Sequence, residues 1–563
     1  MTILKTDFSE LKKLVGRNFT IEELNDILFD FGMELDSYEG NDLYIDITAD
    51  RPDLLSSFTL ATELKKYLGL TKEKEIEKTK INKSEIKIFV DKKVNAVRPY
   101  IAAFVAKNLH IDDLLLKEII NVQEKLHETF CRNRKIAAIG IYPLDKINAP
   151  IYYTTESPNE ISFKPLNAEK IMNAVEILEK HDTGIKYASL LKDKAEYPLL
   201  LDSKNNILSM PPIINSADIG RVEKNTKEIF IEVTGTVKSR VEQLIKILTK
   251  LFIDVGADIY SVEIKYNNNS IITPDITERK LIVYYNYIKE ILDLSIESGK
   301  LKELLAKMGY KTNSIYNDKI EINVPYYRAD ILHPIDVIDD IARAYKFNNF
   351  KPEIPKLSTV GGFLPKTKII RFIREIFIGM GFSEAFTFSL TNKKYQYQYM
   401  NIDSKEWINI PNAKAGEINA VRTWIIPELL KTTKANEDFG LPIKLFELND
   451  SCIVDERTET GYRNVPKLAV LIMDQKVTFT NIKQALDMIM KTASQSTIKY
   501  ELEECTHGSF IDGRVGNIII KKDKIKKNFG IIGEISPIVL ENFNLKYPIA
   551  AFEFDISALI ENE

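Results

Sequence analysis

The stretch YYRADILHPIDVIDD, Tyr326 to Asp340, places Asp330, Asp336, Asp339 and Asp340 within eleven residues. Pro334 suits the first turn of a helix. Asp336, Asp339 and Asp340 then fall at i, i+3 and i+4 on one face, with Ile335, Ile338 and Ile341 on an apolar side. Two readings stand. Acidic residues near a helix N-terminus gain about 0.3–1 kcal/mol each from the helix dipole, and Arg328 can pair with one of them. Like charges at i, i+4 repel by roughly 0.2–0.5 kcal/mol, and a hard divalent cation removes that repulsion. Mg²⁺ takes oxygen ligands, commonly one or two carboxylates and several waters. Asp330, Asp336, Asp339 and Asp340 are therefore candidate ligands of a partly hydrated Mg²⁺, shared with a partner chain.

A second group of polar residues lies in the middle of the chain. The strings SMPPIINS and IFIEVTGT carry Asn215, Ser216, Glu232, Thr234 and Thr236 at strand ends and loops, where they can frame a pocket. The same residues can equally cap and satisfy turns. Elsewhere the chemistry is sparse. Five histidines form no His/Cys cluster. GGFLPKT lacks the glycine that a phosphate loop needs before its lysine. No nucleophile–His–Asp grouping is recognisable. Arg422 and Arg514 are isolated cations.

The acidic helix belongs to a repeated unit. Thr20 and Glu23 make a capping box, Leu24, Ile27, Leu28 and Phe31 follow at helical spacing, and Gly32 closes the helix. Adding 277 to each number gives Leu301, Leu304, Leu305 and Met308, closed by Gly309. Without a gap, Arg51 and Asp53 then align with Arg328 and Asp330. Residues 1–69 and 278–346 thus read as two copies of a unit ordered helix, helix, hairpin, helix. Asp336, Asp339 and Asp340 align with Thr59, Thr62 and Glu63, so the acid cluster is an addition to one copy.

Around the polar loops, residues about 95–265 read as an α/β layer. The helix KSRVEQLIKILTKLFIDVG is amphipathic, and a hairpin turns over DSKNN. After the linker KPEIPKLSTVGG, the last third reads as a mainly antiparallel sheet flanked by helices. The expected domains are 1–90, a helical/hairpin unit; 91–268, a central α/β domain; 269–352, the acidic copy of the unit; and 353–563, the antiparallel-sheet domain. The fold class is α+β multidomain.

Length and composition agree. A chain of 563 residues exceeds one core and implies three to five domains. Its 44% hydrophobic and 28% charged residues are ordinary for globular protein. A net charge of −4 confines any nucleic-acid contact to a local patch or a partner's surface. Cys131, Cys452 and Cys505 lie far apart, which suits a reducing compartment. The charged N-terminus is not a signal peptide, and no apolar run spans a membrane. A cytoplasmic location is expected.

The chain resembles the phenylalanyl-tRNA synthetase β-subunit family in its archaeal/eukaryotic form. DITADRPDLL, QEKLHETFCRNR, LSMPPIINS, IEVTGT, VPYYRADILHPIDVIDDIARAYKFNN and FGIIGEISP carry the resemblance in that order. It implies an (αβ)₂ ligase that charges tRNA(Phe) with phenylalanine using ATP, both small substrates being handled by the α subunit. It implies a C-terminal domain similar to a class II catalytic core without its catalytic motifs, and an Mg²⁺ site on Asp330, Asp336, Asp339 and Asp340. It also implies an editing domain over residues 91–268 that hydrolyses Tyr-tRNA(Phe), with Ser216, Glu232, Thr234 and Thr236 as its pocket residues. Two departures argue against active editing. Val237 stands where the family pattern has an aspartate, and Pro143 where it has an acid, with Asp145 two residues on. A free-standing aminoacyl-tRNA deacylase and a non-catalytic nucleic-acid-binding scaffold are the alternatives.

Overall fold

The computed structural model describes residues 2–71, 80–267, 269–403, 407–413, 418–493, 499–522 and 525–560. The chain divides into two compact units, Met1–Glu353 and Ile354–Glu563. Both are mixed α+β, and the chain holds several separate sheets.

In the first unit the 277-residue offset holds element by element. The strands Thr2–Asp7, Glu34–Glu39 and Asp42–Ile47 recur as Arg279–Tyr284, Lys311–Tyr316 and Lys319–Val324. The helices Phe8–Val15, Ile21–Phe31 and Ser57–Tyr67 recur as Tyr285–Leu292, Ser298–Lys307 and Pro334–Tyr345. The irregularity in strand pairing between Leu35 and Ser37 recurs between Thr312 and Ser314. Each copy opens with a strand that the expected order lacked. In Thr2–Asp7 only Leu4 and Thr6 are buried and Ile3 faces outward, so the alternation that marks a half-buried strand is obscured.

The copies pack on each other reciprocally. Ile21–Phe31 meets Pro334–Tyr345, and its counterpart Ser298–Lys307 meets Ser57–Tyr67. This is the isologous arrangement of a twofold dimer, built within one chain. Gly32, at φ +94°, admits the Arg343 guanidinium 2.4 Å from where a Cβ would stand.

The sequence between the copies forms a ten-stranded mixed sheet. The strand Ile229–Gly235 is buried throughout and runs antiparallel between Tyr100–Lys107 and Ala137–Pro143. Helix Lys238–Asp254 covers one face, where Phe104 and Phe252 meet edge to face at 5.9 Å. Val105, Tyr142, Tyr153 and Phe230 form a separate core. The hairpin Tyr197–Leu201/Ile207–Met210 extends the sheet.

In the second unit seven strands pair antiparallel except at one edge, where Ser383–Glu384 runs parallel to Ile443–Val454. Leu468 and Val470 join one core with Ile373, Phe377 and Leu486 from two helices. Their neighbours Ala469 and Leu471 join another core with Ile426 and Leu429. The period of two along the strand separates these layers. No helix among the described residues is long and apolar enough to cross a membrane.

Candidate hydrolytic site and the acidic helix

The four aspartates do not converge. Arg328 donates to Asp330 from Nε and Nη2 at 2.8 and 2.6 Å, and Nη2 also reaches Asp340 at 2.8 Å. Asp340 accepts a further bond from the Tyr310 hydroxyl. Asp336 folds back over the helix start and accepts the N–H groups of Leu332 and His333, both at 2.7 Å. Asp339 is exposed and pairs with Arg343 one turn on, at 2.9 Å. Burial pushes the Asp330 carboxyl up, but the Arg328 fork and the charge of Arg51 hold it below its usual range. The first copy repeats the fork: Arg51 donates to Asp53 at 3.0 and 2.7 Å, with both side chains 1% exposed.

These residues do not fit a magnesium site within this chain. Two carboxylates balance a buried guanidinium, one caps the helix, and one pairs along the helix surface. Among the described residues, no group of three or more His, Cys, Asp or Glu side chains is placed to hold a metal ion. The repulsion expected of Asp330, Asp336, Asp339 and Asp340 is relieved by arginines and helix N–H groups.

Beside the ten-stranded sheet lies a cavity of about 520 Å³ with Glu232 in its wall. Glu232 is 2% exposed, in the centre of its strand, opposite Gly140 and Ala103 on the flanking strands. Tyr142 donates to Glu232 Oε1 at 3.1 Å and sits 2.8 Å from Ser209 Oγ. Glu232 Oε2 has no hydrogen-bond partner among the described residues. Burial raises this carboxyl to about 7, against the opposing pull of Tyr142 and the Arg98 charge. A near-neutral carboxyl with one unpartnered oxygen suits general-base work at neutral pH.

Asn215, Ser209, Glu124, His127 and Arg134 also line the cavity. Burial pushes the His127 imidazole down to about 4. Its Nε2 accepts the Ile139 N–H at 2.9 Å, so the ring serves as a fixed neutral acceptor. A second cavity of the first unit, about 1410 Å³, is lined in part by Lys83, Lys92, Lys238 and Asp275. None of the unpartnered buried side-chain atoms among the described residues belongs to its wall.

Of the four expected pocket residues, only Glu232 faces the smaller cavity. Thr234 is buried and accepts from Arg98 Nε at 3.0 Å, one strand repeat away. Ser216 accepts the Asp218 N–H at 3.3 Å in a local turn. Thr236 is exposed and donates to the Lys135 and Ile136 carbonyls. Tyr142, Ser209 and Arg134 were not anticipated. Strand alternation alone gives no register, and register is what sets Gly140 beside Glu232 and leaves room for Tyr142.

The two departures fall outside this wall. Val237 is 41% exposed at the N-cap of helix Lys238–Asp254 and makes no capping bond. Replacing an aspartate there removes a cap and leaves the cavity untouched. Pro143 ends the edge strand of the sheet, where proline is tolerated. Asp145 is exposed on the following turn.

In the second unit Arg422 is fully buried. Its Nη1 donates to Glu447 Oε1 and Thr387 Oγ1, both at 2.8 Å, and Nε and Nη2 donate to the Asp450 carbonyl at 3.1 and 3.0 Å. Arg514 pairs with Glu534 at 2.6 Å. Both cations are engaged within the unit.

Three family models match the chain: the Phe-tRNA synthetase beta subunit B1 domain over residues 1–70, the tRNA synthetase B5 domain over 282–347, and the phenylalanyl tRNA synthetase beta chain CLM domain over 351–556. The phenylalanine–tRNA ligase beta subunit of Pyrococcus horikoshii is 39% identical over 98% of each chain. That of Methanocaldococcus jannaschii is 36% identical over 99% of this chain and 100% of its own. A crystal structure of an N-terminal fragment of the P. horikoshii beta subunit superposes with a TM-score of 0.59 at 38% identity, covering 61% of this chain and 99% of the fragment.

Proposed function

Because the chain belongs to the phenylalanine–tRNA ligase β-subunit family, we propose that it joins an α partner in an (αβ)₂ enzyme that attaches phenylalanine to tRNA(Phe) with ATP. Similarity to β subunits along nearly the whole chain carries this reading, and it disfavours a free-standing deacylase or a scaffold. Activation of phenylalanine falls to the α partner. Residues 353–563 take the part of a catalytic-core-like domain without catalytic groups, and the fully engaged Arg422 supports this. Phe386 and Phe388, 85% and 84% exposed beside the sheet's edge strand, offer apolar surface for that partner.

The Glu232 cavity serves to hydrolyse tyrosine mistakenly attached to tRNA(Phe). The need is physical, since an apolar pocket rejects an analogue that merely adds a hydroxyl by only ~10²-fold. Glu232 takes a proton from a water as the water oxygen adds to the ester carbonyl. The bond from that carbon to the ribose oxygen then breaks. Tyrosine leaves with its carboxyl restored, and the ribose hydroxyl takes up the proton. Because Val237 and Pro143 stand away from the cavity wall, the two departures remove none of these groups. The magnesium expected at Asp330, Asp336, Asp339 and Asp340 has no part in this reading.

The test is deacylation of Tyr-tRNA(Phe) by the assembled enzyme. Rapid hydrolysis, falling about 100-fold or more in Glu232→Gln, supports it. Hydrolysis unchanged by Glu232→Gln contradicts it.

A further inference from the structure

Between helix Asp113–Glu128 and strand Ala137–Pro143 the chain passes through three successive left-handed residues, Arg132, Asn133 and Arg134, at φ 49°, 53° and 63°. Residues other than glycine enter this region singly; asparagine does so with comparative ease, whereas each arginine costs about 1–2 kcal/mol. Three in succession make a left-handed turn, and the surroundings pin it. The N–H groups of Arg132, Asn133 and Arg134 donate to the carbonyls of Thr129, Glu128 and His127 at 3.0, 3.3 and 3.1 Å. The Ile136 N–H donates to the Cys131 carbonyl at 3.1 Å.

The consequence of the turn is the placement of Arg134. Its guanidinium lies 4.3 Å from the Tyr187 ring centroid. Nη1 donates to the Ile213 carbonyl at 2.8 Å and Nη2 to Glu124 at 2.9 Å. The side chain is 11% exposed and lines the Glu232 cavity, and its Nε has no acceptor among the described residues. Strain retained around one side chain that keeps an unpartnered donor points toward a ligand.

Two further cations line the cavity. The Lys186 ammonium lies 5.2 Å from the Tyr187 ring centroid, and its ion pair with Glu128 is long at 3.9 Å. Arg221 is exposed and has no ion-pair partner among the described residues. The cavity wall therefore carries two carboxyls, Glu232 and Glu124, a serine, an asparagine and three cations, of which Arg134 is paired with Glu124. An aminoacyl ester on a nucleotide presents an acyl group and a phosphate, one for each kind of group.

We propose that Arg134, assisted by Lys186 and Arg221, positions the phosphate of an aminoacylated nucleotide so that its acyl ester reaches Glu232. This inference rests on the hydrolytic reading above. Arg134 is a positioning residue in it, with no share in proton transfer.

The test measures binding of two non-hydrolysable probes to the full-length chain: 3′-tyrosylamido-3′-deoxyadenosine and its 5′-phosphate. The phosphate is expected to tighten binding about 10-fold, within the range of a charge-assisted contact. Arg134→Gln abolishes that gain, and Glu232→Gln preserves it. Because Arg134 also braces the turn, the double variant Lys186→Gln/Arg221→Gln, whose changes lie toward solvent, gives an independent reading and reduces the gain. Equal affinity of the wild type for both probes overturns the inference and leaves the hydrolytic reading standing. A full gain retained in Arg134→Gln, or in the double variant, overturns it likewise. Binding of neither probe removes the hydrolytic reading and the inference together.

Discussion

The Tyr142 hydroxyl donates to Glu232 Oε1 at 3.1 Å, and the missing side chain of Gly140 makes the room. A Cβ on Gly140 would lie 2.3 Å from that hydroxyl and 2.4 Å from Oε1. Both atoms belong to buried side chains in a close-packed sheet, so neither can retreat cheaply. Gly140→Ala is expected to destabilise the protein by about 1–3 kcal/mol and to abolish Tyr-tRNA(Phe) hydrolysis. Urea denaturation and a deacylation assay check this, and a variant with wild-type values in both would contradict the geometry.

The pH dependence follows from Glu232. Its carboxyl is raised by burial from an ordinary 4.5 to about 7 in the folded protein. Between those values the folded state holds a proton that the unfolded state has lost. The contribution to stability is therefore full below about pH 4.5 and lost as pH rises through 7. Glu232→Gln should flatten this part of the melting-temperature profile. Hydrolysis needs the ionised base, so the wild-type rate should rise through an inflection near pH 7 that Glu232→Gln lacks. An inflection surviving in the variant assigns it to another group.

The two buried forks are predicted to differ in weight. Arg51 balances Asp53, whereas Arg328 balances both Asp330 and Asp340. Removing one partner of a buried pair costs about 3–5 kcal/mol, because the remaining charge is left without compensation. Arg328→Ala should therefore exceed Arg51→Ala in loss of stability by urea denaturation. A smaller loss for Arg328→Ala would show that Asp340 relies on Tyr310 instead.

Chelation tests the acidic helix. With the four carboxylates held by Arg328, Tyr310, Arg343 and two N–H groups, removing divalent cations should leave the melting temperature of the isolated chain unchanged. A fall on adding a chelator, reversed by Mg²⁺ and absent in Asp339→Ala, would contradict this arrangement.

Much of the frame was legible in the sequence, and for identifiable reasons. The offset of 277 relied on glycine closures and helical spacing, which local physics fixes, and it recurs down to a strand irregularity. The strands Thr2–Asp7 and Arg279–Tyr284 escaped because too few of their residues face a core. Glu232 was legible only as one of several polar residues assigned to strand ends and loops, and the fold sets it in mid-strand facing the cavity. Its companions Tyr142 and Ser209 depend on pairing register across three strands, which no local pattern encodes. The acid helix was legible only as a pattern, for a related reason. Asp330, Asp336, Asp339 and Asp340 are close in sequence, but their separate partners, Arg328, Arg343 and the N–H groups of Leu332 and His333, are set by the fold. The left-handed turn at Arg132–Arg134 left only the weak signal of Asn133, since neither flanking arginine favours that region.

The central claim is that this chain is the β half of a ligase whose activation chemistry belongs to its α partner. ATP–pyrophosphate exchange with phenylalanine tests it most directly, measured on the purified chain and again after co-expression with an α subunit. The account predicts no exchange from the chain by itself and exchange from the assembled enzyme. Robust exchange from the solitary chain would contradict it.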